Sequence, residues 1–334
     1  MGYDTSSGKR RPVYDRDPER LWHKLNDERP PEIVTFSDVA DRWETEKVQL
    51  VSYKTAESYV APLRRLKEHF GADDVTEITT PQITAYLKAL ANRGYGKRSV
   101  QLHRDILSMV LSTAILEGVI RVNPCDAAVL PRNLKSTPRE LPDDDAIEAV
   151  KNGASAPFGL FALVCLYAGL RRGEALALRY EDIDRRAKVI HVTKAVEFIG
   201  NTPHIKTPKT AAGCRDVVLL DALAAVLPDQ AAGYIFPDKK GELMSKTVYR
   251  RRWANYCAAI GCEITAHQLR HGFATILYEA GIGDKDAQEL LGHANITTTR
   301  DVYTHIRQAH RSETASRLNS FLAAAGKTGQ KAAD

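Results

Sequence analysis

Apolar residues recur at helical spacing through the first third of the chain. Between residues 55 and 70 they include Leu63, Leu66 and Phe70, three and four positions apart, which is one face of an amphipathic helix. Stretches with the same period lie on either side, separated by capping and turn residues. This pattern predicts a compact four-helix domain over residues 35–125.

The period changes twice in the second half of the chain. Helical spacing over residues 143–152 and 157–178 gives way to short β-rich runs, and helical spacing returns over residues 245–325. The β-rich runs cover residues 188–193, 196–199 and 214–220. They predict a small three-stranded antiparallel sheet inside a mainly α domain that spans residues 142–325.

Other segments are predicted to lie outside these domains. Residues 1–34 are polar and rich in Arg, Asp and Pro, which predicts a flexible N-terminal arm. Residues 126–141 combine prolines with basic residues and predict an interdomain linker. Residues 312–325 carry apolar residues at helical spacing and predict a C-terminal helix, followed by a disordered tail over residues 326–334.

Composition argues against several classes of protein. The mean hydropathy is −0.33, and the longest apolar run, residues 157–170, is shorter than the about 20 residues that span a membrane. The polar N-terminus predicts no signal peptide, so the expected location is cytoplasmic and no membrane partner is expected. The five cysteines form no CxxC pair, which argues against a disulfide framework or a zinc site. The net charge of +5 permits nucleic-acid binding without demonstrating it.

Candidate chemistry is concentrated in three segments that are far apart in sequence. They read GLRRGE at residues 169–174, HQLRH at 267–271, and LGH at 291–293 with Tyr303 ten residues after the histidine. These segments resemble the signature of tyrosine recombinases, the family of phage integrases and chromosome-dimer resolvases. That family carries a GLR-x-x-E box, an H-x-L-R-H box, and an LGH box followed by the tyrosine. One box alone is weak, whereas all of them in family order are specific.

A further run lies between the first two boxes. Residues 209–219 read KTAAGCRDVVL, which resembles the family's β-hairpin run K-T-x-x-S-x-R-x-V-P-L, with departures at Gly213 and Val218. The resemblance covers about residues 35–320. It implies an N-terminal helical core-binding (SAM-like) domain and an α+β catalytic domain, and it implies chemistry that needs neither a cofactor nor a metal.

The residues themselves suit attack on a phosphodiester. Its transition state spreads negative charge over the non-bridging oxygens, and a planar guanidinium group can bind two such oxygens at once. Arg171 and Arg270 are the candidates for this clamp. His267 and His293 can add hydrogen bonds to the phosphate or move protons near neutral pH.

Tyr303 is the candidate nucleophile, although a lone tyrosine is more often a half-buried structural residue. A tyrosine hydroxyl has a free pKa of about 10 and needs a base or a strong positive potential, which two arginines supply. The leaving 5′ hydroxyl needs a proton donor. Lys209 is the candidate donor, and Lys206 is the alternative. The resemblance implies a 3′-phosphotyrosine intermediate that keeps the bond energy, so no ATP is consumed.

Several of these candidates also have purely structural interpretations. Arg171 and Glu174 could form a surface ion pair, although we interpret Glu174 as a structural residue that orients Arg171. His267 and His271 have the four-residue spacing of a helical zinc pair, but the zinc-protease motif needs Glu where Gln268 stands. His271 is therefore interpreted as a packing residue, and no metal site is predicted.

A second set of basic residues consists of candidates for contacts with the DNA backbone. Family members clamp DNA between the helical and catalytic domains, and many dispersed contacts give salt-dependent affinity without a high net charge. The alternative for each residue is a solvated helix face. The candidates are Lys97, Arg98 and Arg104 in the first domain, and Arg172, Arg250, Arg251 and Arg252 in the second.

The leading hypothesis is a site-specific recombinase that acts as a tetramer on two double-stranded DNA attachment sites. In such an assembly residues 312–325 would dock on a neighbouring subunit, and the alternative is packing on their own domain. Two other functions stay open: relaxation of DNA by a type IB topoisomerase-like enzyme, and DNA binding by a protein with a decayed active site. The sequence identifies neither the DNA site nor any DNA-bending or directionality factor.

Overall fold

The chain folds as two units, Met1–Pro138 and Arg139–Asp334, and each is described by itself. The structure is a computed structural model that describes residues 2–4, 11–13, 17–25, 33–135, 141–207, 213–304 and 306. The division between the units falls within residues 126–141, where the sequence predicts a linker. Lys209 and the segments predicted to form a C-terminal helix and a tail lie outside the described residues.

The first unit consists of helices preceded by a short strand pair. Strand β1 (Gly2–Asp4) pairs antiparallel with β2 (Arg11–Val13), and α1 (Pro18–Leu25) follows. These elements lie in the segment expected to be a flexible arm, so its described part has regular structure. Four helices follow, as the spacing predicts: α2 (Phe36–Leu50), α3 (Tyr53–Phe70), α4 (Thr80–Asn92) and α5 (Lys97–Leu116).

Local sequence sets where two of these helices begin. The Thr35 hydroxyl accepts a hydrogen bond from the backbone N–H of Asp38, and the Asp38 carboxylate accepts one from the backbone N–H of Thr35. At the start of α4, the Gln82 side-chain oxygen accepts hydrogen bonds from the backbone N–H and the hydroxyl of Thr79. Each arrangement satisfies backbone donors that the first turn of a helix leaves unpaired. The apolar faces of α2–α5 then meet in one core around Phe70.

The second unit combines helices with short strands. Its helices are α6 (Asp144–Asn152), α7 (Gly159–Tyr167), α8 (Arg172–Ala177), α9 (Asp221–Ala224), α10 (Lys246–Ile260), α11 (Ala266–Glu279), α12 (Asp284–Leu291) and α13 (296–304). Its strands are β3 (Ile183–Asp184), β4 (Val189–Val192), β5 (Ala195–Ile199), β6 (Thr202–Lys206) and β7 (Arg215–Val218).

The strands form two sheets, which corrects the sequence prediction. A three-stranded antiparallel sheet has the order β3-β4-β7, and β5 pairs with β6 in a separate hairpin. The run 196–199 was expected in the three-stranded sheet. It instead turns back at Gly200, whose φ of 58° allows the tight turn that joins Ile199 to its partner Thr202. The third member of the larger sheet is β3, which the pattern did not predict.

The predicted helix 157–178 is also wrong in one respect, because the chain breaks between α7 and α8. Gly169 adopts φ 61°, and a Cβ atom at this position would lie 2.2 Å from a ring carbon of Phe273 on α11. The Gly169 carbonyl oxygen accepts a hydrogen bond of 2.6 Å from the Arg270 guanidinium. Close packing on α11 thus ends α7 and makes Arg171 the N-cap residue of α8.

Helix α7 lies in the middle of the second core. All but two of its residues are buried, including Phe161 and Leu166, and it packs against α11. The sequence predicts a buried core helix for this apolar run, and the structure agrees. No helix in the described residues combines the length and the apolar character that crossing a membrane would need.

We expect Gly169→Ala to destabilise the second unit more than a matched glycine substitution does. Gly261 has nearly the same backbone conformation, with φ 65°, but no atom lies within 4 Å of a Cβ built there. Gly261→Ala should therefore cost only the left-handed backbone strain of about 1–2 kcal/mol. Gly169→Ala should cost about 1–3 kcal/mol more, because its methyl group collides with Phe273. Urea denaturation of both variants measures the difference, and equal losses would contradict the prediction.

Candidate active site

Four elements of the second unit carry the candidate residues. Arg171 is the N-cap residue of α8, and Arg270 lies on α11 one turn after His267. His293 follows the end of α12, and Tyr303 lies on α13. Arg171 and Arg270 are 99 residues apart, and Arg270 and His293 are 23 residues apart. Tertiary packing alone can therefore make them neighbours.

A buried carboxylate joins the arginines. The Glu174 side chain is 5% exposed. Its ion pair with Arg171 is therefore not a surface ion pair, the alternative that the sequence left open. Arg171 donates to this carboxylate through its backbone N–H at 2.8 Å and through Nη1 at 2.7 Å. Arg215 donates through Nη1 at 3.2 Å and through Nη2 at 2.9 Å. Arg270 Nη1 lies 4.0 Å from the same carboxylate.

The same three arginines also bind the C-terminal end of α12. The carbonyl oxygens of residues 290, 291 and 292 accept, in that order, from Arg215 Nε at 2.9 Å, from Arg270 Nη2, and from Arg171 Nη2 at 2.7 Å. The last carbonyl groups of a helix have no partners inside the helix and carry partial negative charge. The three cations therefore satisfy and neutralise this helix end.

The arginines keep Glu174 ionised. Burial alone would raise the pKa of its carboxyl group, but the hydrogen bond and charge of Arg215, followed by the charge of Arg171, outweigh burial and lower that pKa to about 2. Burial and the neighbouring charge of Arg171 lower the pKa of Arg270 to about 9, which leaves it protonated at pH 7. The site is therefore a preformed cationic centre with one buried anion.

His293 lies in the field of this centre. Burial lowers the pKa of its imidazole, and the charges of Arg270 and Arg171 lower it further, to about 3, so the ring is neutral at pH 7. Its Nδ1 atom lies 2.9 Å from the hydroxyl of the buried Thr299. Gln288 donates a hydrogen bond of 2.9 Å to the His293 carbonyl oxygen, which fixes the turn after α12.

His267 and His271 form a pair on α11. Their Nε2 atoms are 3.1 Å apart, and the rings meet edge to face with centroids separated by 4.4 Å. His267 is exposed while His271 is buried, in agreement with the interpretation of His271 as a packing residue. Within the described part of the chain, no three His, Cys, Asp or Glu side chains are arranged to hold a metal ion.

Tyr303 is buried and points its hydroxyl group away from solvent. The side chain belongs to a small apolar cluster and meets the ring of Tyr278 edge to face, with centroids 5.2 Å apart. Its hydroxyl donates to the Ile282 carbonyl oxygen at 3.3 Å. Burial, with a smaller contribution from the charge of Asp284, raises the pKa of Tyr303 to about 12. In this arrangement the phenol is not activated for attack.

The two candidate lysines have different outcomes. Lys209 lies outside the described residues, so its role as proton donor stays a prediction. Lys206, the alternative, lies on β6 and forms an ion pair of 3.0 Å with Glu197 on the adjacent strand β5. The structure therefore gives Lys206 a structural partner within its own hairpin.

Some candidate DNA contacts are exposed, while others have partners within the fold. Arg172 lies over the rings of Tyr249 and Phe198, at 5.5 and 5.9 Å from their centroids. Arg252 donates to the Pro237 carbonyl oxygen at 2.8 Å, and Arg104 lies 3.7 Å from the carboxylate of Asp105. The exposed candidates besides Arg172 are Lys97 and Arg98 at the start of α5, and Arg250 and Arg251 on α10.

Sequence reasoning missed Arg215. It stands in the run KTAAGCRDVVL, at the place where the family pattern also has arginine, so the signal was present. Its importance follows only from the structure, where its side chain is 6% exposed and binds Glu174. A cleft of about 440 Å³ lies beside it, lined by residues that include Cys214, Lys285 and His293.

Comparison with known protein families gives two matches. The model of the phage integrase family matches residues 144–310, and the model of the phage integrase central domain matches residues 36–129. Together they cover most of the second unit and the helices α2–α5 of the first.

Related proteins have names that agree with these matches. A tyrosine recombinase XerC-like protein of Caldanaerobacter subterraneus is 25% identical over 329 residues, covering 86% of this chain and 84% of the relative. The ICEBs1 integrase of Bacillus subtilis is 28% identical over 281 residues, covering 78% and 75%.

Solved structures share the fold. The Tn1549 transposon integrase in complex with a circular intermediate DNA superposes with a TM-score of 0.68 at 19% identity, covering 84% of this chain and 99% of that chain. A λ integrase tetramer bound to a Holliday junction gives a TM-score of 0.62 at 22% identity, covering 89% and 94%. The neighbours agree with the expected fold, a helical N-terminal domain and a catalytic domain with small antiparallel sheets.

We expect Glu174→Gln to remove a pH-dependent part of the protein's stability. The carboxyl pKa is lowered from 4.5 to about 2, so the stabilisation is complete above pH 4.5 and disappears as the pH falls to about 2. At pH 7 the variant should lose about 3–5 kcal/mol of unfolding free energy, because the arginines lose their buried anion. The difference from the wild-type protein should shrink by about 3 kcal/mol between pH 4.5 and pH 2.

Urea denaturation at a series of pH values measures this difference. The matched control is Glu181→Gln, which removes an exposed carboxylate paired with Arg179 at 3.1 Å and should change stability little. A difference between wild type and Glu174→Gln that stays constant from pH 7 to pH 2 would contradict the prediction.

Proposed function

Because the chain belongs to the phage integrase family of tyrosine site-specific recombinases, we propose that it cleaves and rejoins DNA through a 3′-phosphotyrosine bond to Tyr303. The observation that carries this proposal is the buried carboxylate of Glu174, which holds Arg171 beside Arg215 and Arg270. A centre of this charge suits an anionic phosphate. The proposed catalytic residues are Arg171, Arg270, His267, His293, Lys209 and Tyr303.

Arg171 and Arg270 would stabilise the charge that develops on the phosphate. The Arg171 side chain is 43% exposed, so part of its guanidinium group is accessible to a DNA strand. Arg270 is almost fully buried, with Nη1 4.0 Å from the carboxylate that also binds Arg171. Preorganised cations in a site that excludes water stabilise a transition state more than the same charges in bulk water do.

His293 would act as a neutral hydrogen-bond donor. If Thr299 donates to Nδ1, the ring proton is on Nε2 and can meet a phosphate oxygen. The low pKa of His293 supports this assignment, because a ring that is neutral at pH 7 has one nitrogen that accepts and one that donates a hydrogen bond. His267 is exposed on α11 and would provide the second imidazole contact.

The chemical step exchanges one phosphodiester for another. The Tyr303 oxygen attacks phosphorus and releases its proton to water, the bond from phosphorus to the 5′ oxygen breaks, and Lys209 protonates the leaving oxygen. Religation reverses these transfers with the 5′ hydroxyl of another strand. For attack, the Tyr303 hydroxyl must leave the Ile282 carbonyl oxygen and approach the arginines, because in its present position burial keeps it protonated.

Full recombination would require assembly on two DNA sites. We propose a tetramer, in which residues 312–325 dock on a neighbouring subunit and the N-terminal helical domain contacts the DNA backbone. The λ integrase solved as a tetramer on a Holliday junction supports this assembly by its shared fold. Exposed Lys97, Arg98, Arg250 and Arg251 are the proposed backbone contacts. DNA-bending or directionality factors would act on the same assembly.

We expect Tyr303→Phe to abolish covalent attachment to DNA. With nicked suicide substrates that carry candidate attachment sites, the wild-type protein should form an adduct that survives denaturation. The phenylalanine variant lacks the attacking oxygen and should form none while still binding DNA. Tyr278→Phe is the matched control, because it removes the hydroxyl of the neighbouring ring and should leave the adduct unchanged. Failure of the wild-type protein to form adducts on sites it binds would favour a decayed DNA-binding protein.

A second experiment separates recombination from simple relaxation. Supercoiled plasmids with one or two attachment sites are incubated with the protein, and the products are resolved by gel electrophoresis. We expect exchange products that require two sites, because strand transfer needs a 5′ hydroxyl from the partner duplex. Relaxation of one-site plasmids without any exchange would instead identify a type IB topoisomerase-like activity.

A further inference from the structure

We infer that Arg215 is a positioning residue for DNA cleavage, which acts by holding Glu174 so that Glu174 orients Arg171. This inference rests on the proposed function, since it concerns the same cleavage step. Arg215 is the third guanidinium of the centre, and it lies at the first position of β7, six residues after Lys209.

Arg215 already donates to protein acceptors through all three of its guanidinium nitrogens, so we assign it no direct contact with the phosphate. Its side chain is 6% exposed. Nη1 and Nη2 donate to the two oxygens of Glu174, and Nε donates to the carbonyl oxygen of Leu290 at 2.9 Å. These three bonds occupy the donors that Arg215 would otherwise offer to a phosphate. Any effect of Arg215 on the reaction must therefore pass through the groups that it holds.

Glu174 is the route from Arg215 to Arg171. Oε1 of Glu174 accepts from Arg171 Nη1 and Arg215 Nη1, and Oε2 accepts from the Arg171 backbone N–H and Arg215 Nη2. The paired bonds from Arg215 fix the rotation of the carboxylate group, because a planar fork matches both oxygens at once. Without them the carboxylate can rotate, and the half-exposed Arg171 side chain loses the partner that fixes its direction.

The end of α12 provides a second connection. Arg215 holds the carbonyl of Leu290 while Arg171 holds that of Gly292, two residues further on. Loss of Arg215 would leave one of the three carbonyl groups at this helix end without its cation. The same change would therefore loosen both partners of Arg171, the carboxylate and the helix terminus.

A double-mutant cycle tests whether Arg215 acts through Arg171. Single-turnover cleavage of a nicked suicide substrate is measured at saturating protein for wild type, Arg215→Ala, Arg171→Ala and the double variant. We expect Arg215→Ala to slow cleavage about 10- to 100-fold, as a misplaced catalytic group does, with DNA affinity unchanged. Arg171→Ala should slow it about 100- to 1,000-fold. The double variant should be no slower than Arg171→Ala, because the effect of Arg215 is already lost.

Further variants keep the result independent of folding. Arg215→Lys retains the charge but not the paired bonds, so it should cleave at a rate between those of the wild type and Arg215→Ala. If Arg215→Ala unfolds below the assay temperature, Arg215→Lys replaces it in the cycle. Arg185→Ala is the matched control. Arg185 binds the carbonyl oxygens of residues 224, 227 and 228, away from Glu174, so its loss should leave cleavage unchanged.

A cycle with Lys209 separates the inference from its main rival. If Arg215 instead positions Lys209, the double variant of Arg215→Ala with Lys209→Ala should cleave no more slowly than Lys209→Ala alone. The rate losses of Arg215→Ala and Arg171→Ala should then multiply. That result would overturn the inference, as would wild-type cleavage by Arg215→Ala. We expect the opposite result: the rate loss of Arg215→Ala should multiply with that of Lys209→Ala and should add nothing to that of Arg171→Ala. A wild-type protein that binds the substrate but forms no adduct would overturn the proposed function and this inference together.

Discussion

Three guanidinium groups repel one another when they lie side by side inside a protein, and the second unit is arranged around the groups that offset this repulsion. Glu174 supplies one full negative charge, shared between Arg171 and Arg215 and within 4.0 Å of Arg270. The C-terminal end of α12 supplies three carbonyl groups, one for each arginine. A buried charge that lost these partners would be strongly destabilising. The cationic site therefore exists only while α8, β7, α11 and α12 are correctly packed.

The same contacts that stabilise the fold also place the groups that we propose to react. The arginines donate hydrogen bonds to the carbonyl oxygens at the end of α12, where the chain turns at Gly292 and His293. Helix α13 follows this turn and carries Tyr303, whose hydroxyl is bonded to the Ile282 carbonyl oxygen. The cluster of arginines, the proposed phosphate site, is thus preformed, while Tyr303, the proposed nucleophile, is held in a separate apolar cluster. A movement of α13 is the change that would complete the site.

The sequence predicted those features that depend on local spacing. Helices α2–α5 of the first unit follow from their apolar period and from capping pairs such as Thr35 with Asp38. The boxes around Arg171, Arg270 and His293 identified the family, which the family models confirm. The break after α7 was not predicted, because it depends on the ring of Phe273 and the guanidinium of Arg270, about 100 residues away. The run 196–199 was assigned to the larger sheet, whereas it pairs with the adjacent strand β6 across the turn at Gly200.

By itself, then, the sequence determined which chemical groups the protein has and the order in which they occur. It placed Glu174 beside Arg171 and identified the run that contains Arg215, but spacing along a chain does not show that a charged side chain is buried or that two side chains share a partner. Only the tertiary structure decided that Glu174 is buried, that Arg215 joins it, and that three successive carbonyl groups of α12 each receive one arginine. The physical reason is that a buried charge acquires its partners from whichever elements pack around it. Those elements come together here from positions 171 to 292 of the chain.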